Sequence, residues 1–259
     1  MSKSLVIFYL TACLFMTFSM PSLADNNVAR NDSDVLGKVD DLLTTVGDND
    51  GETSLGNAVA DAVRENTSAD IVILVRSELN TNLQGGEKVT WGELKTALPG
   101  MRQLEIAEVS PTEIKAILET GVSHVVIGKN DCIDHNASIY DEFPQVSGIA
   151  FEYDVSAPIG QRITRMTLTD AILDPKDSNT RFRLVTTAGL LPGSKAIGMT
   201  LAETVADFIT KRGSLSYPVM GRITCYGTVD HRVLGSMPVE VIAAVIIACA
   251  ILIFLYRKR

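Results

Sequence analysis

The chain has 259 residues, 46% of them apolar, with 31 acidic against 23 basic side chains and a formal net charge of -8. That balance excludes a nucleic-acid binder working through a basic stripe, because such binding draws on cations that release counterions from phosphates. With both apolar ends set aside, roughly 200 residues remain, enough for one substantial core or two small ones.

Residues 1–24 read as a secretory leader: Lys3 precedes the apolar run "LVIFYLTACLFMTF", and "SLA" before Asp25 supplies small residues for cleavage. "LTAC" also has the form of a lipoprotein box at Cys13, but the chain stays apolar to Met20, which favours the ordinary leader. Residues 25–34 form a polar lead-in without aromatics. A compact domain is expected over 35–228. In "ETSLGNAVADAV", Leu55, Val59, Ala62 and Val63 recur at helical spacing behind a Thr53 or Ser54 cap. Gly56 and Asn57 are expected to shape how this helix meets its sheet, with Glu52 at its terminus and Asp61 on a wet face.

"ADIVILV" is a continuous β-branched run, the pattern of a strand covered on both faces. "NLQGGEKVTWGEL" reads as a turn, a short strand and the start of a helix. "SPTEIKAILETGVSHV" is the clearest helix: Ser110 caps it, Pro111 takes the first helical position, Glu113 completes a capping box, and Gly121 marks its stop. After a polar connection come "SGIAFEYDV" and "ITRMTLT" as neighbouring strands, then "FRLVTTAGL" as a third of that group. "TLAETVADFITKRG" is a helix with Leu201, Val205, Phe208 and Ile209 on one side. The elements alternate without a steady βαβ rhythm, which favours α+β. A juxtamembrane linker over 229–238 leads to "VEVIAAVIIACAILIFLY" at 239–256, a length that spans a bilayer, and the basic tail 257–259 follows the positive-inside rule. The expected placement is a single-pass membrane protein with its domain outside, on the cell surface or the periplasmic face.

Cys13 and Cys249 belong to the leader and the span, which leaves Cys132 and Cys225 either to form a disulfide or to stay as thiols. Sequons stand at Asn31, Asn66 and Asn136. The histidines, His124, His135 and His231, are scattered singly, so no two-metal centre is expected. "DCIDH" at 131–135 reads as a loop, and "DNDGE" at 48–52 lacks the distal acid of a calcium loop. No metal, cofactor or catalytic residue is assigned.

Five ordered blocks, "ETSLGNAVADAVRE", "GGEKVTWGEL", "SPTEIKAILETGVS", "FPQVSGIAFEYDVSAPIGQRI" and "LDPKDSNTRFRLVTT", resemble the C-terminal domain of 5'-nucleotidases across residues 35–225. That family includes UDP-sugar hydrolases and cyclic-nucleotide phosphodiesterases. The resemblance implies a four-layer α/β/β/α sandwich with mixed sheets. It also implies a domain that elsewhere supplies most of a nucleoside pocket while a separate metallophosphoesterase domain binds two metals and cuts. Here the domain is expected to stand alone, with a metallophosphoesterase partner and a nucleotide or nucleoside as the partners the resemblance suggests.

The family's Asn-Ser-Gly-Gly-x-Arg stretch aligns with "VRSELN", placing Val75 at the asparagine, Ser77 and Glu78 at the glycines and Asn80 at the arginine. Its first stacking aromatic aligns with Gly100 in "LPGMRQ", and its second with Gly189, ahead of Ser194 and Lys195 in a former glycine loop. Losing one stacking face removes about 1–3 kcal/mol per base. Either Arg76, Glu78, Arg102 and Lys195 build a more polar pocket or, the simpler reading, they are solvated loop residues. The expectation is a degenerate pocket on a binding module without hydrolase activity of its own; the alternative is the recognition half of a split nucleotidase.

Overall fold

The computed structural model describes residues 29–47, 51–100, 102–125, 141–187, 189 and 191–227. The leader, most of the lead-in, Cys132, the 239–256 span and its flanks lie outside them, so the expectations placed there have no structural counterpart. No helix of the described residues is long and apolar enough to cross a membrane.

The strand at the centre explains the architecture. β2 (Ile71–Val75) is apolar at every position and buried at every position. Alternation sends Val72 and Leu74 into one core and Ile71 and Ile73 into another. It lies in a five-stranded mixed sheet of order β10-β4-β9-β2-β5, with β4 (Gln103–Val109), β5 (Pro144–Ser147), β9 (Phe182–Thr187) and β10 (Lys195–Thr200). β9 runs parallel to β2, while β4, β5 and β10 pair antiparallel to their neighbours. The expectation that "FRLVTT" joins the strands before it is therefore corrected. β9 is slotted between β4 and β2 because Leu184 and Val185 face opposite cores, a placement that only a sheet covered on both sides offers.

The first core holds α1 (Ser54–Thr67), α2 (Trp91–Ala97) and α4 (Leu201–Arg212) against one sheet face. A small sheet of β1 (Val35–Val39), β3 (Lys88–Thr90) and β11 (Ser214–Leu215) closes its flank. The second core holds α3 (Pro111–Val122) and the mixed four-stranded sheet β12-β6-β7-β8. Its strands are β6 (Ile149–Asp154), β7 (Ile163–Leu168), β8 (Ala171–Ile172) and β12 (Ile223–Tyr226). The mixed sheets of the α+β expectation are present. α3 packs into the second core, burying Ile114, Leu118 and Val122 with Phe151 and Tyr153.

Local chemistry starts the helices. Thr90 with Glu93, Ser110 with Glu113 and Thr200 with Glu203 form complete capping boxes, each satisfying two backbone donors that a helix start leaves unpaired. Thr53 caps α1 by accepting from Gly56 N at 2.9 Å. Gly121 does not stop α3, which continues to Val122; a Cβ there would meet Pro144 Cδ at 2.9 Å, so glycine admits the 142–144 segment against the helix. The far end of α3 is capped by Arg162, whose Nη1 donates to the carbonyls of Val122, Ser123 and Val125.

The "ETSLGNAVADAV" block is a clasp. Glu52 is fully buried rather than merely terminal. Its carboxylate accepts from Asn57 Nδ2 and from the backbone N–H groups of Gly221, Arg222 and Ile223, with Gly221 N at 2.9 Å and Arg222 N at 3.0 Å. Asp61 is half-buried rather than on a wet face, held bidentately by Arg222 at 2.8 and 2.7 Å and by Ser147 Oγ at 2.5 Å. Gln145 accepts from Thr53 through its Oε1 and donates to Gly51 O, which fastens β5 to the start of α1. Replacing Glu52 with alanine strands these donors out of reach of water. Glu52→Ala should therefore lower unfolding stability by on the order of 3 kcal/mol in urea titrations, with Glu52→Gln losing less. A loss within error of zero contradicts the clasp.

Candidate functional site

β2 and β9 are adjacent and parallel and end together at Val75 and Thr187. The carboxyl ends of such strands expose backbone where the chain turns away, the usual position for ligands in open sheets. Beyond β2 a single 3-10 turn, Arg76–Glu78, bends the chain back. Arg76 N donates to Phe143 O at 2.9 Å and its Nη1 to Leu79 O at 3.0 Å, while its Nε, buried, has no partner.

Glu78 turns inward and is only 3% exposed. Its Oε1 stands 3.5 Å from Nη1 of Arg102, whose own side chain is 55% exposed. Burial pushes the Glu78 carboxyl above the ordinary glutamate range, with Arg102 and then Thr187 drawing it part of the way back. Thr187, at the end of β9, faces this carboxylate. Gly100 completes the corner: a Cβ there would collide with Glu78 Oε2.

Of the positions singled out in the sequence, Glu78, Gly100 and Arg102 thus meet, with Arg76 on the same turn as Glu78. The simpler reading of Glu78 as a solvated loop residue is corrected, because the space beside Gly100 takes its side chain out of solvent. Asn80 is not part of this group: its N donates to Ala97 O at 2.9 Å and its Nδ2 to Thr96 O at 3.1 Å, pinning it to the end of α2.

Gly189 and Lys195 line an open groove of about 1320 Å³ over the second sheet face. Its floor includes Ile73, Val75 and Ile197, and α3 walls it with Ile117. Gly189, at φ 92°, turns the chain after β9, and the following loop folds onto Glu105, which accepts from Ser194 Oγ at 2.5 Å. Thr186, Thr187 and Glu105 were not singled out from the sequence. The signal is a pair of hydroxyls closing the strand after the apolar pair Leu184 and Val185 in "FRLVTT". Cys225 is half-buried on β12, and its pairing with Cys132 lies outside the described residues.

With this geometry in place, comparison with known proteins decides the lineage. The sequence profile described as "5'-nucleotidase, C-terminal domain" matches residues 35–202, more than half of the chain. The chain belongs to this family. Most of α4, with β11 and β12, continues the fold past the matched segment to Tyr226. A curated relative, the trifunctional nucleotide phosphoesterase protein YfkN of Bacillus subtilis strain 168, is 29% identical over 116 residues, covering 43% of this chain and 7% of its own length. The crystal structure of a 5'-nucleotidase precursor from Thermus thermophilus shares the fold with a TM-score of 0.60 at 23% identity, over 74% of this chain and 39% of that one. The NAD nucleotidase of Haemophilus influenzae does so with a TM-score of 0.60 at 17% identity, over 76% and 39%. This chain therefore spans well under half the length of the proteins it matches.

The Glu78 environment gives a pH dependence with a definite sign. A carboxyl whose folded pKa is raised contributes stability that is present in acid, below its unfolded range near 4.5, and is lost as pH rises through the higher folded value. Glu78→Gln removes the charge that burial disfavours, while the exposed Arg102 partner loses little. Chemical denaturation should show Glu78→Gln more stable than wild type at pH 7, with the advantage vanishing toward pH 4. A variant less stable at pH 7 refutes the assignment.

Proposed function

We propose that this chain is a membrane-anchored, extracytoplasmic nucleotidase C-terminal domain that serves as a binding or interaction module and does not hydrolyse phosphoesters by itself. The observation that carries the reading is the corner at the end of β2 and β9, where Glu78 and Arg102 stand together against Gly100 instead of the glycine turn and stacking aromatic that the family pattern leads one to expect. The chemistry of hydrolysis in this family needs a dense set of ligands for two ions, and the three histidines stand singly in the sequence. The anchor is supported by the apolar run 239–256 with its basic tail, and the outward placement by the leader.

The apolar groove beside Gly189 and Lys195 favours a second reading, in which a separate metallophosphoesterase covers that face and the two chains act together in nucleotide catabolism. Purified full chain incubated with AMP, UDP-glucose and cyclic nucleotides plus Mn²⁺ or Zn²⁺ should yield no more cleaved product than a protein-free control. Metal-dependent cleavage by the chain alone sinks the first reading. Cleavage that arises only on mixing with a metallophosphoesterase supports the second.

A further inference from the structure

The chain leaves the described fold at one end of the four-stranded sheet. β12 runs parallel to β6 with Tyr226 opposite Asp154, and Val155 N donates to Tyr226 O at 3.0 Å. A Cβ on Gly227 would meet Ser156 N at 3.1 Å, so the chain departs directly beside the turn that joins β6 to β7.

That turn is built of uncharged residues. Positions 155–161 read "VSAPIGQ", in a chain whose net charge is -8. Gln161 N donates to Pro158 O at 2.9 Å and Gly160 takes φ 83°, which puts Ile159 at the corner of a tight turn, a place usually held by polar or turn-forming residues. Ile159 is 67% exposed, and Tyr226, at the exit, is 50% exposed. The charges flanking the turn are both engaged. Asp154 accepts from Ser156 N at 2.8 Å and from Ser156 Oγ at 2.5 Å, and Arg162 gives its guanidinium to the carbonyls at the end of α3. Folding does not account for Ile159, since the hydrophobic effect acts only through surface taken out of water.

Residues 228–238 separate this exit from the apolar run 239–256. Even fully extended they reach only about 40 Å. A tether of that length makes any meeting of turn and bilayer an intramolecular event, for which a contact too weak to hold a free protein suffices.

We propose that the 155–161 turn, together with Tyr226, is a membrane-seating site: Ile159 enters the headgroup boundary of the bilayer that holds the anchor, and Tyr226 lies at the water–lipid interface, where tyrosines are enriched. The inference rests on the membrane-anchored part of the proposed function. Recognition is by apolar contact and not by charge, because an anionic lipid surface attracts basic segments and this chain is acidic. Neutral phosphatidylcholine is therefore the surface that fits.

The test uses the full chain reconstituted in phosphatidylcholine vesicles, with and without bromine near the headgroup end of the acyl chains, which quenches tryptophan on contact. Trp91, the one tryptophan of the wild type, packs against the first core with Arg30 and Lys95 over its ring and sets the background. Ile159→Trp should lose emission in the brominated vesicles beyond that background and shift to the blue. Ile172→Trp is the control: Ile172 is equally exposed, but on β8 it lies at the opposite end of the same sheet, and its replacement should not be quenched. Flotation of the same vesicles reports the anchor separately. Chain that floats without quenching at position 159 overturns the seat and leaves the anchored reading standing. Equal quenching at 159 and 172 also overturns it, because tryptophan itself and not the site then seeks lipid. A blue shift at 159 that appears only as the protein-to-lipid ratio rises means that a second copy covers the turn, and the seat falls. Chain that does not float removes the anchored reading and the seat together.

Discussion

A carboxylate without access to solvent joins distant parts of this chain. Glu52, just ahead of α1, accepts from the backbone of residues 221–223, and Arg222 in turn grips Asp61 and the carbonyl of Val146. Three segments far apart in sequence, the start of α1, β5 and the approach to β12, are fixed against one another by charge-assisted bonds, those of Glu52 out of reach of water. β12 leaves this clasp directly and pairs in parallel with β6, with Ile223 opposite Phe151. The placement of the four-stranded sheet, and with it the second core, depends on that anchoring.

Around the clasp the fold divides labour. The five-stranded sheet carries a core on each face and is held in place by capped helices and by Arg162 at the end of α3. Its carboxyl edge is different: hydroxyls and a guanidinium nitrogen are left unpartnered there, and a carboxylate is buried with weak compensation. Under-satisfied polar groups concentrate where structure is retained for something other than stability. The family resemblance had pointed to this same edge through positions 76–80 and 100. The groove over the second face, apolar at its floor and lined by Gly189 and Lys195, reaches Val75 beside the Arg76–Glu78 turn.

Much of the local structure was legible. The capping box at Ser110, Pro111 and Glu113, the cap at Thr53 and the apolar stripe of α4 follow from contacts within four residues, which sequence spacing encodes directly. The even hydrophobicity of "IVILV" likewise announced a strand covered on both faces. β4 and β10 were not distinguished, because "QLEIAEV" and "KAIGMT" mix polar and apolar residues without a clear period, and their strand character comes from pairing with β9 and with each other.

The sequence by itself determined where helices begin, which strand is central and, through its ordered blocks, to which family the domain belongs, since these depend on neighbours in the chain or on the whole pattern at once. The tertiary structure alone decided the fate of the charges. Glu52, Asp61 and Glu78 look alike in sequence, yet one is clasped by backbone donors, one is paired with an arginine 161 residues away and one is wedged beside a glycine. The physical reason is that a carboxylate's role is set by the dielectric and the donors around it, and in this fold those arrive from segments brought together only when both cores close.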